Sequence, residues 1–176
     1  ALRGFSVADT APAAPYDLVA DPGATLRAAA HEAARLWIVR AHPGAKFPDW
    51  LLEGLAGLFE GFAWNGKAWE FPRIPPGARV LAQQGARAKL LFPVARLTGL
   101  ERGEAAGLGP RDAALYTAQA WALAYFLDRG PDPAYAGVLK KAVEAAAAGG
   151  EIDLKGLLGE KAGAIYADLA AFLAGM

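Results

Sequence analysis

Four ionisable side chains sit inside otherwise apolar stretches of this chain, and any fold must either bring them together or give each a polar surface. Between Ala28 and Val39 the ionisable residues are His31, Glu32 and Arg35, set among Ala, Leu, Trp, Ile and Val. Glu53 is isolated in the same way within Trp50-Leu51-Leu52-Glu53-Gly54-Leu55-Ala56. A charge in an apolar interior costs several kcal/mol unless it is paired and hydrogen-bonded, so this pattern demands a partner for each group.

The flanking sequence predicts how they are carried. Residues 25–41 have a helical period, with Leu26, Ala30, Ala33 and Trp37 expected on one apolar stripe and His42-Pro43-Gly44 ending the helix. Asp21-Pro22 or Thr25 supplies its start. His31 and Arg35, four residues apart, share a face, and Glu32 lies about 100° round from His31. Pro48-Asp49 opens a second helix, expected to run to a C-capping Gly61. On it Glu53 shares a face with Ala56, Gly57 and Glu60. The small residues at 54, 56 and 57 favour close approach to another helix, and Glu53 is expected to meet the polar face of the first. Glu60 is expected on a solvated stripe.

At 176 residues and 55% hydrophobic, much of it alanine, the chain can offset its ordering entropy by burial, which excludes general disorder and favours helix. The expected fold is mainly α, α+β at most, in one domain over 1–176. Residues 1–23, with Pro12, Pro15 and Pro22, read as an extended lead-in with short strands at 4–7 and 16–19. The two motif-bearing helices occupy 24–61. Residues 62–80 read as a loop, opened by a hairpin-like turn at Trp64-Asn65-Gly66-Lys67 and broken by Pro72, Pro75 and Pro76. Residues 81–176 form a C-terminal helical part, with helices expected at 84–97, 111–129, 132–148 and 161–174.

Eighteen basic and eighteen acidic residues give a formal net charge of zero, so nucleic acid and anionic membranes are not expected as partners. The absence of cysteine excludes disulfides, thiol nucleophiles and cysteine metal sites. No apolar run reaches about 18 residues and no charged leader precedes an apolar segment after Ala1, so neither a membrane span nor a signal peptide is expected. The start at Ala1 reads as that of an excised or processed fragment.

His31-Glu32-Ala33-Ala34 followed by Trp50-Leu51-Leu52-Glu53-Gly54-Leu55-Ala56 resembles the gluzincin metallopeptidases, in particular the bacterial peptidase-MA-like group, whose pattern is H-E-x-x-H and then W-x-x-E-G-x-A on the next helix. The run from Tyr116 through Trp121 to Leu123 resembles a further helix of that group, which extends the likeness over about residues 25–130. The resemblance implies a zincin-like helical domain with His31 as first zinc ligand, Glu53 as third ligand and Glu32 as general base. Tyr116 becomes a candidate for stabilising the oxyanion. In such a site two histidines one turn apart and a carboxylate hold zinc, and the metal acidifies a bound water.

Arg35 stands where the family has its second histidine. Guanidinium has no lone pair for a metal and stays charged at any ordinary pH. Gly57 is a second departure, at a position where relatives often carry an acidic residue that orients a histidine ligand. The sequence therefore points to a lapsed peptidase in which Arg35 replaces the metal against Glu53 and Glu32. No cofactor is expected, and a peptide or protein is the expected partner. Trp64, Trp69 and Phe71 are candidates for lining a peptide groove. Two alternatives remain open: an active zinc peptidase with a non-standard ligand set, zinc being its cofactor, and a helical structural or interaction domain. His42, beyond the helix end, matches no ligand spacing and reads as a loop histidine.

Overall fold

The computed structural model describes residues 22–70 and 74–176, and it is mainly α-helical. The lead-in strands expected at 4–7 and 16–19, and Phe71, lie outside the described residues, as do the side chains of Trp64 and Trp69. The helices are α1 (Pro22–Ala41), α2 (Asp49–Leu58), α3 (Pro76–Arg87), α4 (Val94–Gly99), α5 (Arg102–Ala106), α6 (Pro110–Arg129), α7 (Val138–Ala147), α8 (Leu154–Leu158) and α9 (Ile165–Gly175). Short 3-10 turns at Pro133–Tyr135 and Gly159–Gly163 precede α7 and α9. Among the described residues, no helix is long and apolar enough to cross a membrane.

The loop expected at 62–80 is part hairpin and part helix. Strands β1 (Ala63–Trp64) and β2 (Trp69–Glu70) pair antiparallel, Trp64 opposite Trp69. The Asn65 side chain builds the turn, its Oδ1 accepting from the backbone N–H groups of Lys67 and Ala68 at 3.0 and 2.9 Å. Gly66 takes φ +95°, a value that favours glycine. Pro75-Pro76 starts α3 rather than prolonging the loop, because a proline in the first turn lacks an N–H that would have no partner there anyway.

Three further helices differ from expectation for local reasons. The helix expected at 84–97 is two, α3 and α4, separated by Lys89 at φ +56° and by Pro93. The break is held by Gln119 of α6, fully buried, whose Oε1 accepts from Phe92 N and whose Nε2 donates to Phe92 O, both at 2.7 Å. The helix expected at 132–148 is interrupted by Gly137 at φ +77°, and α2 ends at Leu58 rather than at Gly61.

Helix α6 is buried on nearly every side and is the central rod, as expected of a helix apolar all round. Helices α2, α3, α7 and α9 pack against it, and α3 also packs on α9. The α2–α6 contact is unusually close. A Cβ on Gly54 would lie 2.7 Å from Ala120 O and 2.9 Å from Ala124 Cβ, and one on Gly57 would lie 3.0 Å from Trp121 Cβ. The two glycines thus face α6, and α1 packs on α2 as well.

The α1 stripe expected at Leu26, Ala30, Ala33 and Trp37 is not the buried one. Trp37 is 63% and Leu26 47% exposed, whereas His31, Ala34 and Ile38 are buried. Pairing of the charged groups with α2 has set the rotation of α1, leaving its more apolar edge outward.

Gly54→Ala should cost about 1–3 kcal/mol through overpacking against α6. Gly77→Ala, in α3 with open space around it, should instead stabilise by up to about 1 kcal/mol. Urea denaturation of both variants measures the contrast, and equal effects would contradict the close approach.

Candidate functional site

The four isolated ionisable groups meet between α1 and α2, and a fifth, Glu60, joins them. His31 is 7% exposed and lies between two carboxylates: its Nδ1 donates to Glu60 Oε1 at 2.6 Å, and its Nε2 faces Glu53 Oε2 at 3.2 Å. The second oxygen of Glu53 faces Arg35, with Nε 3.1 Å away. That approach is off the N–H axis, so it is a charge pair rather than a directed hydrogen bond. Arg35 Nη1 reaches back one turn to Glu32 Oε1 at 3.4 Å. Glu32 is the outermost member, its side chain 42% exposed against 12% for Arg35 and for Glu53.

Glu60 corrects the sequence reading, which left it on a solvated stripe. It sits two turns after Glu53 on the same face of α2, just past the helix end, and its side chain is only 23% exposed. The seven-residue spacing from Glu53 was the available signal. Glu60 fixes the histidine ring through Nδ1 while Nε2 looks at Glu53.

Burial alone would lower the pKa of His31, but the hydrogen bonds and negative charges of Glu53 and Glu60 outweigh it and carry the value up to about 9. At neutral pH the ring is an imidazolium donating from both nitrogens, so the cluster holds two cations, His31 and Arg35. Among the described residues, no group of three or more His, Asp or Glu side chains is placed to hold a metal ion.

Tyr116 stands on α6, 3% exposed. Its hydroxyl is pushed above its ordinary range by burial first, and by the nearby charges of Asp49 and Glu53. A side-chain hydrogen bond with Asp49 raises it further, and this coupling places Tyr116 on the α6 side of the same region. Trp121 packs beneath Gly57 and stacks on Tyr125 at 5.6 Å, so both rings belong to the core. His42 lies after α1 against Phe47, ring centres 5.8 Å apart.

Compared with protein-family models, curated proteins and solved structures, the chain matches none of them.

Two outcomes follow from the cluster. With a folded pKa of about 9 against an ordinary 6.5, the charge of His31 adds stability fully present below pH 6.5 and lost as pH rises through 9, about 3 kcal/mol at most. NMR titration of the His31 ring should give a midpoint near 9, lowered in Glu60→Gln; a wild-type midpoint at or below 6.5 would remove the clamp. Arg35→Ala should cost about 3 kcal/mol, because it takes a cation from a nearly buried carboxylate. Unchanged melting of that variant would show that the pair contributes nothing.

Proposed function

We propose that this domain is a metal-independent, non-hydrolytic counterpart of the zinc peptidases whose motifs it resembles, with binding rather than bond cleavage as its retained role. The observation that carries this reading is the placement of Arg35. Its guanidinium lies 3.1 Å from the second oxygen of Glu53, at the sequence position where the family has a metal-binding histidine.

The residues present do not fit a zinc ion. Catalytic zinc takes three protein ligands and keeps one open position. His31 Nε2 and Glu53 supply two donors, and Arg35 supplies a positive charge and no lone pair. Zinc would also require His31 to give up its Nε2 proton beside Glu53, against the stabilisation that carries its pKa to about 9. Two fixed monovalent cations, imidazolium and guanidinium, thus do the electrostatic work of one divalent ion.

The Glu60–His31–Glu53 geometry also supports descent of this arrangement from a metal site. A carboxylate on Nδ1 with Nε2 turned to a second carboxylate is how a histidine ligand is oriented. Glu32, next to His31, retains the sequence position of the general base and pairs with Arg35. On this reading Tyr116, buried on α6, is the lapsed oxyanion donor. A role for Trp64 and Trp69 in a peptide groove rests on their place in the hairpin alone.

Purified wild-type protein and Arg35→His, each loaded with zinc and dialysed, should separate on metal content: well under one zinc per chain for the former and a clear gain for the latter. The wild type should show no chelator-sensitive peptidase activity. Stoichiometric zinc in the wild type, with chelator-sensitive peptide hydrolysis, would overturn the reading in favour of an active peptidase.

A further inference from the structure

Eighteen basic residues balance eighteen acidic ones over the whole chain, but not locally: from Phe71 to Leu100 there are five basic residues and no acidic one. Three of them, Arg87, Lys89 and Arg96, are exposed where α3 gives way to α4. Helix α3 closes there in a Schellman turn, Leu90 N donating to Gly85 O at 2.8 Å and Lys89 N to Ala86 O at 3.1 Å. The left-handed position of such a turn is ordinarily glycine, yet Lys89 occupies it at φ +56°, alone among the described non-glycine residues. The next residue ordinarily packs an apolar side chain on the helix one turn back. That place is Gly85, where a Cβ would lie 2.7 Å from Leu115 Cδ1, so Leu90 gains no cover from it and stays 47% exposed.

Cations and exposed apolar groups thus share one tip. Residues 87–90 span at most about 11 Å. Two residues on, Phe92 is held by Gln119, and the Arg96 guanidinium lies 5.2 Å from its ring centre. Val80, 45% exposed, shares the α3 face of Arg87 two turns earlier. Among the described residues, none of Arg87, Lys89 and Arg96 has a carboxylate within ion-pairing distance. Helices α2, α6 and α9 pack on α3 and α4, and their carboxylates are turned to other groups: Asp49 to the Tyr116 hydroxyl, Glu53 to His31 and Arg35, Asp128 to Arg129, and Asp168 to Tyr135. Glu101 and Glu104 close the capping box of α5. Asp112 remains, in the first turn of α6, where the positive helix end offsets it.

The surroundings of the tip select the partner. A cleft of about 860 Å³ beside α4, with Trp50 in its floor, is lined by none of these residues, so it gives an acidic peptide bound to them no groove. Phe92, the ring beneath Arg96, is buried, which leaves a nucleic-acid base nothing to stack on. What the tip fits is a flat surface, negative outside and apolar just below. We propose that Arg87, Lys89 and Arg96, with Leu90 between them in the chain, dock this protein reversibly on an anionic lipid surface. The three cations lie against the head groups, and Leu90 enters the apolar edge beneath them.

Co-sedimentation of the full chain with vesicles tests the proposal, using phosphatidylcholine alone and phosphatidylcholine with an equal part of phosphatidylserine. The mixed vesicles should bind the protein, less so as salt rises, and the neutral ones should not. At about fivefold in affinity per cation, Arg87→Gln/Lys89→Gln/Arg96→Gln should lose roughly a hundredfold. These side chains are exposed, so the triple variant should keep the wild-type melting temperature. Lys89→Gly separates binding from folding: relief of the left-handed backbone should raise the melting temperature, while lipid affinity falls about fivefold. Absence of binding to mixed vesicles at low salt, equal binding to neutral ones, or undiminished binding by the triple variant would each overturn the proposal. Tighter binding to soluble polyglutamate or to an oligonucleotide, lost in the same variant, would overturn it too and assign the tip to a soluble polyanion.

Discussion

The attachment of α1 to the body depends on five charged groups, three carboxylates and two cations, that pair with one another across a helix–helix seam. Apolar burial alone would turn Trp37 inward, since it is the largest apolar group on that helix. Instead His31, Ala34 and Ile38 face α2, and Trp37 remains 63% exposed. An unpaired buried charge costs several kcal/mol, comparable to or more than the roughly 1.5–3 kcal/mol from burying a large apolar side chain. With His31, Arg35 and Glu53 all on the inner faces, electrostatic pairing decides the rotation and hydrophobicity follows.

That pairing requires α2 to be a fixed platform, and glycine makes it one. Gly54 and Gly57 let α2 sit so near α6 that no side chain separates them from Ala120 and Trp121. A helix held this tightly on one side presents its other face at a defined height. Glu53 and Glu60, two turns apart, then meet both nitrogens of one imidazole. Directional hydrogen bonds at 2.6 and 3.2 Å tolerate little sliding, so backbone proximity on one side of α2 and charge geometry on the other are linked.

Much of this was legible in the residues. The isolation of His31, Arg35 and Glu53 in apolar sequence predicted that they meet, and the small residues of α2 predicted a close helix contact. Two features were hidden because they depend on which way a helix faces. The glycines approach α6 rather than α1, and the buried stripe of α1 is displaced from its most apolar one. Glu60 was missed because a glutamate near a helix end is ordinarily solvated, and its burial follows only once His31 is placed beside it. The α3–α4 break was hidden for a different reason. It is stabilised by a long-range bond from Gln119, and nothing local to Phe92 announces that partner.

Helix α2 also connects the cluster with the cleft beside α4 without making them one. Trp50 lies in the floor of the cleft, and Glu53 one turn later belongs to the cluster. Coupling between two sites needs an element with two discrete arrangements whose balance both can bias. Pinned to α6 through Gly54 and Gly57 and to α1 through His31 and Arg35, α2 has no such second arrangement at hand, because sliding or rotating it would strand charge on one side and overlap backbone on the other. The cluster therefore acts as a structural clamp on α2, the helix that carries Trp50 into the floor of the cleft.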